Sequence, residues 1–359
     1  MADYPASETD VRISPQTLVD AVKAIFIACK MSDRDASLLT DSLVHADLRG
    51  VHSHGVLRIP DYVYKLTKGG VDPKSTPSII SAKKGAIVVD GNNNMGQIGA
   101  SCAMDLAIEA AGDNGIALSA LCGSNHCGAL DWYTLRAAKA GMIGLAGSNA
   151  LPTMAPVGGC DKIVGMNPIS IAMPGKNEPA VVLDLAFGAT AHGKIRVYHQ
   201  KGLSIPEGWA FDCDGNPTTD AETALDGLIQ PAGGHKGIAL AMMVGMLSTL
   251  LSGAAYGTAL GDMVNGPIAG NDGQFFMAIN IAAFRELGAF GADVDEIVSQ
   301  VHASARTDPD RAILVPGEME RQYEREYNSQ GIMLPRRTVD DIADVAKELG
   351  LDLSGFVTL

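Results

Sequence analysis

Between residues 86 and 279 the chain alternates short apolar runs with stretches of helical periodicity. That alternation restricts the fold more than any other feature. Strands are expected at 86–90, 116–121, 142–147, 169–173, 180–185 and 274–279. Val181, Val182 and Leu183 are continuously apolar, as a strand buried on both faces would be. Helical spacing fills 98–111 and 129–140. Strands interleaved with helices predict an α/β fold whose mixed or partly parallel sheet is covered by helices.

The two ends of the chain read differently, as helix. Ser14 is a good N-cap and Pro15 suits the first helical position. Leu18, Val22, Ile25, Phe26 and Cys29 then recur on one helical face. Ser32, three residues before Asp35, opens a second helix with an approximate capping box. Arg49-Gly50 stops it near Leu48. Arg58, Tyr62 and Leu66 predict another turn or two. Beyond 285, helical patterns return at 294–304, 318–330 and 338–349. Pro73 and Pro77 mark a linker. The expected division is a helical part, 1–75 with 285–359, and an α/β part, 76–284. The stretch 194–232, with Pro206, Pro217, Pro231 and several glycines, has little periodicity and reads as a long functional loop.

Charge and composition narrow the partners. The formal net charge of -14 argues against a nucleic-acid partner, because phosphate backbones are repelled. A local cluster of Arg, Lys and His can still bind a small anion. The six cysteines show no framework spacing, which predicts reduced thiols in a cytoplasmic protein. The acidic start, with Asp3, Glu8 and Asp10, is not a secretory signal. Residues 237–256 carry no charge and approach the ~20 residues of a membrane span. Gly245, Ser248, Thr249, Ser252 and Gly253 favour instead a helix buried in the core or a subunit interface, so no membrane partner is expected.

Several polar groups stand out. His52-Ser53-His54-Gly55 follows a helix end, and Arg58 lies four residues beyond His54. An Arg grips a carboxylate with two hydrogen bonds, and a His exchanges protons near neutrality. The same residues also suit a plain surface pair beside an unrelated Arg. Ser124-Asn125-His126-Cys127-Gly128 follows a strand, where α/β sheets place ligands. His126 is there either an acid/base group or a structural His in a turn. Asp184 ends a strand and suits a ribose, while Lys194 and His192 nearby suit a phosphate. His235 stands where the apolar helix begins and its amides could hold an anion. Each of these also reads as a solvated loop residue.

No Gly-x-Gly-x-x-Gly follows an expected strand, and there is no P-loop and no Gly-x-Ser-x-Gly elbow. A dinucleotide would be bound without the usual fingerprint. Zinc held by Cys122, His126 and Cys127 lacks a second cysteine pair, so no metal is assigned. A metal-dependent hydrolase or lyase using the histidines, and an idle ligand-binding protein, remain as rivals.

Taken in order, these segments resemble the malate/L-lactate dehydrogenase-like family, with its ureidoglycolate, sulfolactate, diketogulonate and cyclic-ketimine members. The matching stretches are Arg49-Gly50-Val51-His52-Ser53-His54-Gly55-Val56 with Arg58 and Tyr62, Ser124-Asn125-His126-Cys127-Gly128-Ala129, Ala155-Pro156-Val157-Gly158-Gly159, Gly165-Met166-Asn167-Pro168-Ile169, Asp184-Leu185-Ala186 and Pro316-Gly317-Glu318. They span nearly the whole chain. The resemblance implies a non-Rossmann nicotinamide-binding fold and a homodimer with its active site near the interface. It implies interconversion of a small 2-hydroxy acid and a 2-oxo acid, with cyclic-ketimine or sugar-acid reduction as the alternative. It makes His126 the proton acceptor and donor, and places Ser53, His54, Arg58 and Tyr62 on the substrate side. Arg58, His54 and Tyr62 would bind the carboxylate substrate. His126, Asn149, Met166, Asn167, Asp184, Leu185, Ala186, His192, Lys194, His235, Pro316, Gly317 and Glu318 would border the cofactor. The cofactor is expected to be NAD, since no Arg cluster for a 2′-phosphate is visible, with NADP left open. Lys194 stands where some ketimine-reducing members carry an acid, which favours hydroxy-acid oxidation. Cys127 stands where an aromatic residue is common, which alters the pocket's shape.

Overall fold

The computed structural model describes residues 10–353 and Phe356. The chain opens with β1 (Val11–Ile13), α1 (Pro15–Ala28), α2 (Asp33–Leu48) and α3 (Ile59–Lys68). Next come β2 (Ser78–Lys83), β3 (Ala86–Asp90), α4 (Gly96–Asn114), β4 (Ile116–Ser124), α5 (Asp131–Lys139) and β5 (Met142–Ser148). After these run β6 (Pro152–Met154), β7 (Val164–Gly165), β8 (Ile169–Met173), β9 (Val181–Leu185), α6 (His192–Gln200), β10 (Ala210–Phe211), β11 (Pro217–Thr218), α7 (Ala221–Asp226) and β12 (Leu228–Ile229). The chain closes with α8 (His235–Leu250), β13 (Asp272–Asn280), α9 (Leu287–His302), α10 (Glu318–Gln330), β14 (Ile332–Leu334) and α11 (Arg336–Glu348).

The expected mixed sheet is present. Its seven strands run in the order β2-β3-β4-β13-β5-β8-β9. The β3–β4 pair is parallel and the other neighbours are antiparallel. β13 arrives late in the sequence yet lies between β4 and β5. Its side chains alternate between two cores, as the period of two requires. Phe276 and Ala278 join Ala100, Ala103 and Ala107 of α4 and Tyr133 and Ala137 of α5 on one face. Phe275 joins Ile238, Ala241 and Val244 of α8 on the other.

A separate core draws on both chain ends. It gathers Leu18, Val22 and Phe26, Leu39 and Leu43, Ile59 and Tyr62, then Tyr327, Val339 and Ile342. β1 pairs antiparallel with β14, Ile13 facing Ile332. α9 leans elsewhere: the Asp295 carboxylate accepts backbone hydrogen bonds from Lys176 and Asn177 at 3.0 and 2.9 Å.

Two expectations need correction. The stretch 194–232 is not one long loop. It holds most of α6, and β10, β11, α7 and β12, with Ile195, Ala210, Ala224 and Ile229 buried. Elements of two to nine residues are too short to print a periodicity. The strand β2 was hidden by the opposite effect. It is a sheet edge with Ile79 and Ile80 both exposed, so no face alternates.

The apolar helix is shorter than expected, ending at Leu250. Among the described residues no helix is long and apolar enough to cross a membrane. One side of α8 is buried through Ile238, Ala241, Val244 and Ser248. The other leaves Leu240, Met243 and Leu250 exposed at 53%, 63% and 68%. A helix that is apolar all round is one that burial must cover all round.

Candidate active site

The site is built where α2 stops. Gly50, at φ +74°, turns the chain out of the helix. Two single 3₁₀ turns, His52–His54 and Val56–Arg58, then lead into α3. Asp47, fully buried in the last turn of α2, holds this segment down. Its Oδ1 lies 2.8 Å from His52 Nδ1, and its Oδ2 accepts the Val56 N–H at 2.7 Å. A Cβ on Gly55 would meet the Asp47 carboxylate at 2.2 Å, so this position accepts only a bare α-carbon. His52 is therefore turned back onto α2, and His54 faces the opposite way.

The structure brings Ser53, His54, Arg58, Tyr62 and His126 together. His54 Nδ1 is 2.9 Å from Ser53 Oγ. Its ring stacks on that of His126, centroids 5.4 Å apart and planes 23° apart. The Tyr62 hydroxyl lies 2.6 Å from His126 Nδ1. Arg58 donates through Nε to the Ser53 carbonyl at 2.7 Å, and through Nη1 to Asp61 at 3.4 Å. Those contacts aim the guanidinium. Burial lowers the His126 pKa well below the usual imidazole range, with help from His54 and Arg58. Burial, then Arg58, lowers His54 to about 4, against the pull of Asp131. Both rings are neutral at neutral pH. Burial pushes the Tyr62 phenol up, so in the resting site it is protonated.

His126 follows β4 on a segment clamped from below. A Cβ on Gly96, the first residue of α4, would meet the carbonyl oxygens of Asn125 and His126 at 2.1 and 2.4 Å. The glycine-rich stretch before α4 thus lets a helix start approach the His126 backbone. Beside Gly96, Gln97 is fully buried and donates from Nε2 to the Tyr62 hydroxyl at 2.9 Å. The sequence reading missed Gln97. Its signal was position alone, inside a glycine-rich stretch tested only for a phosphate-binding spacing. Asp47 was missed too, although it sits one helical turn before the histidines.

The expected cofactor residues fall into three groups. The first lies at the end of β9. Leu185 and Ala186 are exposed there, and the Asp184 Oδ2 accepts the Asp131 N–H at 2.8 Å. The residue is exposed, but its carboxyl packs against the start of α5, and that desolvation, then the nearby Asp131 carboxylate, raises the Asp184 pKa. The turn of Pro316, Gly317 and Glu318 presses on the same strand. The Pro316 carbonyl accepts the Val182 N–H at 3.1 Å, and a Cβ on Gly317 (φ +90°) would touch Val182 at 3.1 Å. The turn thus borders the start of β9, while Asp184, Leu185 and Ala186 stand at its end.

The second group is held in place by neighbouring backbone and core. Asn149 exchanges hydrogen bonds with Ala255 and Gly273, and Asn167 with Ala150 and Ala241. Met166 packs with the α8 core. The third group is remote from His126 in its contacts. His192 Nε2 lies 3.2 Å from the Leu225 carbonyl, and the Lys194 ammonium stands 5.5 Å over the Trp209 ring. His235 lines a cavity of about 780 Å³ between the 155–160 loop and the start of α8.

Residues 13–343 match the family model of malate/L-lactate dehydrogenase. The chain belongs to that family. The L-sulfolactate dehydrogenase of Methanothermobacter thermautotrophicus is 36% identical over 343 residues, covering 96% of this chain and 98% of that protein. The malate dehydrogenase of Pyrococcus horikoshii is 33% identical over 353 residues, covering 96% and 97%. The solved structure of sulfolactate dehydrogenase from Methanocaldococcus jannaschii superposes with a TM-score of 0.91 at 34% identity, covering 97% of this chain and all of that one. As a malate/L-lactate dehydrogenase family member, this chain is an oxidoreductase acting on CH–OH groups of small carboxylic acids, with a pyridine nucleotide as its redox partner.

Proposed function

We propose that this dehydrogenase interconverts a small 2-hydroxy acid and its 2-oxo acid, with His126 moving the proton and Arg58 anchoring the carboxylate. The observation that carries the assignment is the convergence of His126, His54, Tyr62 and Arg58 on one spot. Arg58, already oriented by Ser53 and Asp61, offers the remaining N–H edge of its guanidinium to a carboxylate. That fixes C2 of the acid relative to the His126 ring, and orientation of this kind is worth several kcal/mol. The nicotinamide supplies or accepts the hydride at C2. His126 gives the substrate oxygen its proton in reduction and takes it back in oxidation. His54, with Ser53, flanks the same oxygen.

The exposed end of β9, with Asp184, Leu185 and Ala186, fits the ribose end of a dinucleotide, and the Pro316–Glu318 turn against the start of the strand extends the proposed border. Asn149, Met166, Asn167, His192, Lys194 and His235 complete the proposed border. The Asp184 carboxyl suits a ribose hydroxyl, and the sequence shows no Arg cluster for a 2′-phosphate, so NAD is preferred over NADP. The test follows absorbance of the reduced nicotinamide across 2-oxo acids, sugar acids and a cyclic imino acid, with each cofactor. Turnover with a 2-oxo acid and NADH is expected. Turnover confined to the imine or the sugar acid would overturn the substrate assignment. Arg58→Lys is expected to raise KM for the oxo acid about tenfold or more, because an ammonium cannot make the bidentate contact. Unchanged KM would remove Arg58 from that role.

The exposed apolar side of α8 supports a homodimer. Sedimentation is expected to give a dimer, and Met243→Glu a shift towards monomer. A wild-type monomer would refute it. The six free cysteines support a reducing, cytoplasmic setting. The separate end-built core supports a division into 1–75 with 285–359 and 76–284, with α9 leaning on the second.

A further inference from the structure

We infer that Gln97 is a positioning residue: through Tyr62 it fixes the proton of His126 on Nε2 and supports the charge that Tyr62 acquires as the ring turns over its proton. This rests on the role of His126 proposed above. Two donors converge on Nδ1. The Tyr62 hydroxyl is 2.6 Å away and the Gly128 backbone N–H is 3.4 Å away. The Gly128 amide cannot reverse its polarity, so a proton on Nδ1 would face another proton. Nδ1 is therefore an acceptor, and the neutral ring carries its proton on Nε2.

That sets the rest of the chain. Tyr62 has one hydroxyl proton and spends it on Nδ1, so its oxygen must accept from Gln97. The amide nitrogen of Gln97 accordingly stands 2.9 Å from that oxygen. Its Oε1 is buried and accepts nothing among the described residues. The opposite amide orientation would draw the Tyr62 proton away from His126. Gln97 is fully buried and Tyr62 almost so, which gives the hydrogen bonds little competition from water.

The transfers balance. In reduction, hydride forms the C2–H bond, the carbonyl π pair becomes an oxyanion, and that oxyanion takes the Nε2 proton. The Tyr62 O–H bond breaks as its proton passes to Nδ1, so the ring remains neutral. The negative charge rests on the Tyr62 oxygen, facing the Gln97 N–H, until a solvent proton enters at Nε2 from the substrate side and Nδ1 returns its proton to Tyr62. Oxidation runs the same steps backwards. A preorganised donor aimed at an oxygen that gains charge is the arrangement that lowers a barrier.

The test is nitrogen NMR of the full-length protein labelled with 15N-histidine, the His126 signal being assigned by its loss in His126→Ala. A wild-type ring protonated at Nε2 is expected, with a Gln97→Leu ring in which Nδ1 protonation appears. Gln97→Leu is also expected to lower kcat about tenfold while KM for the oxo acid stays within about twofold. A wild-type ring protonated at Nδ1 overturns the inference without any variant. So does Gln97→Leu with wild-type kcat. Either result leaves the function standing if His126→Ala is inactive, whereas an active His126→Ala defeats the function itself.

Discussion

His126→Ala is expected to lower turnover by about 10²–10⁴-fold while leaving cofactor affinity close to wild type. The ring touches Tyr62, Gly128 and His54, none of them part of the end of β9 where the cofactor is placed. Removing it therefore takes away proton transfer and little else. His54 is the natural substitute, yet its Nδ1 is engaged by Ser53 Oγ, and Arg58 and burial hold it neutral. His54→Ala is accordingly expected to cost less turnover than His126→Ala. Steady-state kinetics and cofactor titration check both. Near-normal turnover in His126→Ala would sink the assignment, and a larger loss in His54→Ala would exchange the two roles.

These roles show what a sequence can carry. The strands around His126 were legible because their apolar runs are continuous or alternate, and each is bounded by turns. The pairing of His54 with His126 was not, since it joins residues 72 positions apart, with α3, β2, β3, α4 and β4 between them. Spacing placed His52 and His54 as equals. Asp47 decides between them, by turning His52 towards α2, and nothing in a His-Ser-His string announces that. Asn149 and Asn167 show the opposite limit. Polar residues near a strand end suggest ligands, and the sequence does not show that these amides also bond neighbouring backbone. A buried amide reads the same in sequence whether it holds a loop or a cofactor. The chain order of motifs carried the family where single motifs could not.

Arg49→Met is expected to destabilise the protein by about 3–5 kcal/mol, because it strands a buried carboxylate. Arg49 Nε lies 2.6 Å from Asp131 Oδ2, and both side chains are only 4% exposed. Arg49 also reaches Glu324 at 3.1 Å, and His45 lies 3.4 Å from the other Asp131 oxygen. One guanidinium thus ties the end of α2 to the starts of α5 and, through Glu324, to α10. Burial alone would raise the Asp131 pKa, but His45 and then Arg49 outweigh it and hold the carboxyl at about 2. A carboxyl depressed in the folded state stabilises above its unfolded value, near 3.8. That stabilisation drains away as pH falls from there towards 2. Without Arg49, burial pushes the Asp131 carboxyl back up, so protonation relieves the stranded charge and the Arg49→Met deficit is expected to shrink as pH falls below neutrality. Urea unfolding at neutral pH should show a lower midpoint with an unchanged slope. Arg49→Met combined with Asp131→Leu should recover most of the loss, since the cost lies in the uncompensated charge rather than in the absence of an ion pair. A single Arg49→Met variant within about 0.5 kcal/mol of wild type would mean that His45 alone neutralises Asp131. The consequence reaches the active site, because the Asp131 N–H holds Asp184 at the end of β9. Loss of Arg49 is therefore expected to weaken cofactor binding in the folded fraction, while the His126 cluster, tied down separately by Asp47, keeps its geometry.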